Sequence, residues 1–154
     1  MSPASYPTVS IIIPAYNEED VILKCLESCI DQSVPAEEIL VVSNKSTDRT
    51  EPLVKAFIAD HPNAKVKLLQ QNESQGLIPT RNFGFEAASG EVFGRIDADS
   101  IISHDWVKEV KKTFSDPLVD GASGPVVYHD MPLPQACAAN GRNREGEADV
   151  VDDG

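Results

Sequence analysis

Positive charge is scarce in this sequence: 13 lysines and arginines stand against 25 aspartates and glutamates, a net charge of −12 over 154 residues. That deficit argues against a nucleic-acid surface, which needs clustered Lys and Arg to neutralise phosphates. Long hydrophobic runs are missing too. No apolar stretch approaches the length of a membrane span, and the first residues lack the basic and apolar regions of a signal peptide. The expectation is a cytoplasmic chain without a membrane span, which leaves room for peripheral membrane association. Cysteine is rare as well, with three in all. An odd count without zinc-ligand spacing excludes a disulfide framework and fits a reducing compartment. Cys25 and Cys29 lie four residues apart and read as small apolar side chains on one buried helical face. His61, His104 and His129 show no metal-ligand spacing.

What is present is an ordinary globular composition, 41% hydrophobic and 25% charged, in a length that fits one domain. Residues 1–8 form a polar leader. Val9-Ser10-Ile11-Ile12-Ile13 is a β-branched run without clean alternation, as expected of a central parallel strand covered on both faces. Asn17 reads as a helix cap with acids after it, and Val21, Ile22, Cys25, Leu26, Cys29 and Ile30 recur at helical spacing. Glu38–Val42 reads as a second strand, ending in the polar turn Ser43–Asp48. Asp48 with Glu51 resembles a capping box, and Leu53, Val54, Phe57 and Ile58 form the buried stripe of a second helix. A third strand is expected at Lys65–Leu69, a polar loop at Gln70–Gln75, and a helix over Leu77–Ala88 closed by Gly90. Val92–Ile96 reads as a fourth strand, His104–Phe114 as an amphipathic helix, and Val119–Tyr128 as a strand or extended segment. From Pro132 periodicity fails, so 132–154 reads as a disordered tail.

Repeated strand–helix alternation means an α/β fold, a mainly parallel sheet with helices on both faces. Ligands on such sheets sit beyond the carboxyl ends of the strands. The turns Pro14–Asn17, Ser43–Asp48 and Asp97–Ser100 all follow strands and should gather on one rim. Asp97 and Asp99 supply two hard oxygen donors one residue apart, a pattern suited to Mg²⁺ or Mn²⁺, which binds one or two carboxylates together with substrate phosphates and waters. The plainer alternative is a surface turn rich in Asp. In so acidic a protein a phosphate-ester ligand needs a bound cation to offset mutual repulsion.

Taken in order, these pieces resemble the family 2 glycosyltransferases, nucleotide-sugar-dependent enzymes of the GT-A fold. The resemblance rests on Ser10–Glu19, Ser46–Thr50, the run Gly76-x-x-x-Thr80-Arg81-Asn82-x-Gly84-x-x-x-Ala88-x-Gly90, Asp97-Ala98-Asp99, Asp105-Trp106 and Gly121–Pro125. It covers roughly Val9 to Tyr128, giving a nucleotide-sugar-binding domain over 9–131. The resemblance implies a base pocket lined by Pro14, Ala15 and Tyr16, with Tyr16 against the base; a helix-start staple is the other reading of Tyr16. It places Arg81 near the base or diphosphate, Asp97 at the ribose or metal, and Asp99 on the metal bridging the diphosphate. The implied reaction is metal-dependent, inverting transfer of a sugar from a nucleoside-diphosphate sugar to an acceptor hydroxyl.

Two departures stand out. The family usually has aspartates where this chain has Ser43 and Asn44, so Asn44 would meet the base or ribose without charge. The family's general base and acceptor half lie well beyond the D-x-D, where this chain has nothing comparable. Its catalytic base is therefore unassigned, and the fold is expected with its C-terminal half incomplete. Three readings follow: a glycosyltransferase acting on an unidentified hydroxyl acceptor, a catalytically incomplete nucleotide-sugar-binding fragment, and an Asp-dependent phosphatase. The last expects its D-x-D after the first strand instead of the fourth.

Overall fold

The structure, a computed structural model, describes residues 5–125. The start of the leader and all of the expected tail lie outside that range. Eight elements follow one another: β1 (Val9–Ala15), α1 (Ile22–Ile30), β2 (Glu38–Ser43), α2 (Thr50–Asp60), β3 (Val66–Gln70), α3 (Leu77–Ala87), β4 (Val92–Arg95) and α4 (Trp106–Thr113). The strands form one parallel sheet in the order β3-β2-β1-β4.

Why β1 is central follows from its residues. Every position from Val9 to Ala15 is buried, and successive side chains of a strand point to opposite faces. Ile11, Ile13 and Ala15 join Cys25, Leu26 and Cys29 of α1, Val54 and Phe57 of α2 and Val107 of α4 in one core. Ile12 faces the other way, toward Gly84 of α3, where a Cβ would stand 2.5 Å from Ile12 Cγ2 and 3.1 Å from Val42 Cγ2. The missing side chain at Gly84 is what lets α3 lie directly on β1 and β2. Covering both faces buries Ile11, Ile12 and Ile13 completely, about 1.5–3 kcal/mol each relative to exposure.

The base of the sheet is fastened by two carboxylates, the buried Glu38 and the half-buried Glu37. Glu38 Oε1 accepts hydrogen bonds from Ser10 Oγ at 2.7 Å, Ser89 N at 2.6 Å and Ser89 Oγ at 2.9 Å, while Oε2 takes Lys67 Nζ at 3.0 Å. Burial alone would raise its pKa, but these donors outweigh burial and bring it down to about 2. Nearby, Glu37 pairs with the buried Lys111 of α4 and accepts from the backbone of Val9.

Several local expectations need correction. Asn17 does not cap α1, whose N-cap position is Val21 and lacks a side-chain bond. Its backbone takes φ +51°, and its Oδ1 instead accepts from the backbone of Thr47 at 2.8 Å and Asp48 at 3.3 Å. Asp48 and Glu51 form no capping box. Asp48 accepts from Thr50 N at 2.9 Å and Glu19 N at 3.1 Å, and Glu51 accepts from Gln70 across to β3. Lys65 has φ +55° and stands outside β3. Residues 119–125 form no strand; residues 126–128 of that expected segment lie outside the described range. His61 is a satisfied histidine, stacked on Phe57 with ring centroids 4.2 Å apart and its Nδ1 2.9 Å from the Phe57 carbonyl oxygen.

Candidate functional site

From β1 the chain steps outward through β2 to β3, then returns across the opposite face in α3 to place β4 on the far side of β1. Strand order therefore reverses at β1, and a parallel sheet opens a crevice beyond the carboxyl ends of the strands at such a reversal. A cleft of about 240 Å³ lies there, lined by Pro14, Ala15, Tyr16, Glu18, Asn44, Gln75, Gly76, Leu77 and Thr80. Four of the six residues expected at the nucleotide, Pro14, Ala15, Tyr16 and Asn44, thus meet in one place.

Tyr16 is 48% exposed, so its ring is presented to solvent and is no core staple. Asn44 is buried and fully engaged. Its Nδ2 lies 2.8 Å from Gln71 O, 3.0 Å from Gln71 Oε1 and 2.9 Å from Ser74 O, while Oδ1 accepts from Gly76 N at 2.8 Å. The amide fits because one side of it meets three oxygens and the other meets an N–H; a carboxylate would face the oxygens with no proton to give. Asn44 so latches the loop between β3 and α3 into the cleft wall. Gly76 within that loop has φ +133°, a conformation that favours glycine. Thr80 completes the wall, donating from Oγ1 to Gly76 O at 2.6 Å.

The opposite lip is the turn after β1, tied to the turn after β2. Glu18 N donates to Thr50 Oγ1 at 2.8 Å, and Arg49 Nε pairs with Glu19 Oε2 at 2.9 Å. Glu18 is held in an acidic field. Burial raises its pKa first, and the charges of Asp99, Asp48 and Asp97 raise it further. That field links the cleft to the D-x-D, whose residues are not themselves in the lining.

Beyond β4 the ladder continues one residue, with Ile96 N donating to Ile12 O at 3.0 Å. Ile96 and Ala98 are buried while Asp97 and Asp99 are exposed. The chain then turns, Ser100 N donating to Asp97 O at 2.9 Å. Both carboxylates are therefore exposed where the chain turns at the rim. Asp97 has Arg95 Nε 3.9 Å from its Oδ1. Among the described residues no three His, Cys, Asp or Glu side chains form a ready-made metal cage. The donor set nevertheless suits a hard divalent cation held by one or two carboxylates with its remaining ligands from substrate phosphates and water, and the raised Glu18 marks the negative potential such a cation would neutralise.

Arg81 stands on α3 one residue after Thr80, one turn beyond Leu77, and outside the lining. Its Nε is buried without a hydrogen-bond partner among the described residues. The wall residues Gln75, Gly76, Leu77 and Thr80, and Glu18 on the lip, were not assigned from the sequence. The Gly76-x-x-x-Thr80 spacing is the signal that could have found two of them, since it lets a helix-start hydroxyl reach back to the glycine carbonyl.

The sequence pattern of glycosyl transferase family 2 matches residues 10–136. The chain belongs to that family. A relative in Haloferax volcanii, the glycosyltransferase AglE, is 35% identical over 127 residues, spanning 81% of this chain and 41% of its own length. The chain thus spans about two fifths of that family 2 relative. Among solved structures, S. aureus TarS 1-349 in complex with UDP superposes with a TM-score of 0.63 at 25% identity, covering 80% of this chain and 40% of that 1-349 chain. GalNAc-T7 with UDP, GalNAc and Mn²⁺ gives 0.54 at 25% identity, covering 60% of this chain and 18% of that one. The GT-A fold expected of a family 2 chain is the fold observed. Among the described residues no helix is long and apolar enough to cross a membrane.

Proposed function

We propose that this chain binds a nucleoside-diphosphate sugar in the cleft and serves metal-dependent, inverting transfer of the sugar to an acceptor hydroxyl. The observation that carries the reading is the convergence of the strand-end turns: Tyr16 and Asn44 share one cleft, and Glu18 on its lip feels the charge of Asp97 and Asp99. The similarity to structures holding UDP, and UDP with Mn²⁺, supports the same assignment.

In this reading Tyr16 stacks on the base above Pro14 and Ala15, a contact that any nucleobase can make. Asn44 acts through the loop it latches, keeping Gly76 and Thr80 at the far wall. Asp97, partly balanced by Arg95, faces the ribose or shares the metal, and Asp99 is the principal metal carboxylate. Arg81 offers a permanent planar cation to the base or diphosphate. A bound Mg²⁺ or Mn²⁺ would offset the charge that builds on the leaving diphosphate. Inversion also requires a general base on the acceptor hydroxyl; no described residue is assigned that role. A cytoplasmic location goes with this reading and with the free, buried thiols of Cys25 and Cys29.

Calorimetry against a panel of nucleoside diphosphates, with and without Mn²⁺, tests the proposal. One diphosphate should bind well, and Mn²⁺ should tighten it. Asp99→Ala should lose at least about tenfold in the metal-dependent part, 1.4 kcal/mol. Metal-dependent binding of the same strength in that variant refutes the metal assignment.

A further inference from the structure

At the end of the sheet away from β4, β3 is an edge strand, paired with β2 on one side only. Ile39 N donates to Lys65 O at 3.1 Å and Gln71 N to Ser43 O at 2.9 Å. Both main-chain groups of a strand residue point to the same neighbour, and successive residues alternate. Lys67 and Leu69 therefore serve β2 as well, while Val66, Leu68 and Gln70 turn their N–H and C=O groups outward. Among the described residues no turn or loop backbone bonds to those three. A groove of about 550 Å³ lies at this edge, lined by the five residues of β3, by Lys55 and Ile58 of α2 and by Phe83 of α3. It shares no lining residue with the cleft.

Because α2 and α3 cover opposite faces of the sheet, the groove has two walls. On the α2 wall Ile58 is half-buried and Lys55 exposed. On the α3 wall Phe83 is 38% exposed. Lys67 belongs to that wall, since it bonds to Glu38, whose other partner Ser89 follows α3. Its side chain stays 60% exposed while Nζ meets Glu38 Oε2 at 3.0 Å, so further ammonium donors face outward. Each wall thus offers one apolar side chain and one lysine. The lining contains no carboxylate, in a chain with 25 acidic against 13 basic residues.

We propose that this groove takes an extended, acidic segment of a partner protein as an added strand beside β3. Main-chain bonds to the outward groups supply affinity, and alternate side chains of the segment drop to the two walls. A pair of acidic residues followed by a pair of apolar ones gives each wall a carboxylate for its lysine and an apolar group for Ile58 or Phe83. The five residues of β3 span about 16 Å, so the occupant is a peptide segment and not a small anion. A second copy fits worse, because its own Lys55 and Lys67 would be brought against these. The inference goes beyond glycosyl transfer and does not rest on it.

A fluorescein-labelled eight-residue peptide, glutamate pairs alternating with valine pairs, is the probe, read by fluorescence anisotropy with the full chain. It should bind saturably and more weakly as salt rises. Lys55→Glu should weaken it at least about tenfold, while affinity for the preferred nucleoside diphosphate stays within about twofold because Lys55 lies outside the cleft. N-methylation of every second residue leaves the peptide one intact hydrogen-bonding edge and should cost less than about threefold; N-methylation of every residue removes both edges and should abolish binding. Absence of binding by the unmodified peptide overturns the proposal. So does equal binding of the fully methylated peptide, of a peptide with lysine in place of glutamate, or by Lys55→Glu. A dimer in sedimentation equilibrium that the peptide dissociates gives the edge to a second copy and likewise overturns the acidic partner.

Discussion

Gly84→Ala is a one-carbon substitution that connects the core to the cleft. The added Cβ would stand 2.5 Å from Ile12 Cγ2 and 3.1 Å from Val42 Cγ2, where ordinary contact begins near 3.4 Å. Neither neighbour can swing aside. Ile12 and Val42 are fully buried in the two inner strands, and their branched side chains are stiff at χ1. The helix must therefore lift by about 1 Å, and so deep an overlap with two stiff neighbours falls in the upper part of the overpacking range, about 2–3 kcal/mol. Alanine returns up to about 1 kcal/mol of helix propensity over glycine. The net loss is about 1–2 kcal/mol, a fall of about 3–8 °C in Tm for a domain of this size.

The same lift reaches the site, because Thr80 sits one turn before residue 84 and forms the cleft wall with Gly76. Affinity for the preferred nucleoside diphosphate should drop by up to about tenfold, 1.4 kcal/mol. Differential scanning calorimetry and nucleotide titration on the same preparation measure both effects. A Tm at or above that of the wild type would show that α3 does not rest on Ile12 and Val42 as described, and the reasoning fails.

At the cleft itself, Tyr16→Phe should keep nucleotide affinity within about twofold while Tyr16→Ala loses about 1–3 kcal/mol, the worth of one base stacked on an aromatic ring; equal affinities in both variants would remove Tyr16 from the base. Glu38 makes stability fall in acid. Its folded pKa of about 2 lies below the ordinary 4.5, so its contribution is complete above pH 4.5 and is lost as pH drops toward 2, about 3 kcal/mol in all. Glu38→Gln should flatten the unfolding free energy across that window, and an unchanged slope counts against the carboxylate. Gly94→Ala would place a Cβ 2.5 Å from Trp106 Cη2 and should lower Tm by several degrees by pushing α4 off β4; near-ultraviolet circular dichroism of this sole tryptophan reports whether the ring has moved.

The layout of the fold was legible because β1 and β2 contain little but branched apolar residues between polar turns. A strand covered on both faces has few other ways to be written. The cleft's lip was legible at Pro14–Tyr16 because a polar turn follows the apolar run, although the proline itself does not end the strand: β1 runs on to Ala15, paired with Ser43 of β2. What escaped was governed by contacts between turns distant in sequence. Asn17 and Asp48 each carry the residue type of a local helix cap, yet both bind the other turn, 29–31 residues away. Capping rules see only the few residues ahead of a side chain. Asn44 was read as a group free to meet a ligand, whereas the structure spends its whole amide on the loop between β3 and α3. Nothing within six residues of Asn44 announces that Gln71, Ser74 and Gly76 converge on it.

Those long-range ties bear on why the acidic residues sit where they do. Glu18, Asp48, Asp97 and Asp99 come from turns after three different strands, and the proton affinity of Glu18 is raised first by its burial and then by the charges of the other three. A surface turn rich in Asp would relieve that repulsion by spreading outward. Here the turns cannot spread, because Asn17 holds Thr47 and Asp48, Thr50 holds Glu18, and Ala98 is sunk in the core between its two exposed neighbours. Hydrogen bonds and apolar burial keep like charges together against their own field, a cost that folding alone does not require. In the proposed reading the same cost becomes affinity once a divalent cation enters. Metal and nucleotide should therefore bind with positive coupling, each tightening the other by the same factor. Independent binding of the two would leave the acidic rim without a purpose in this site.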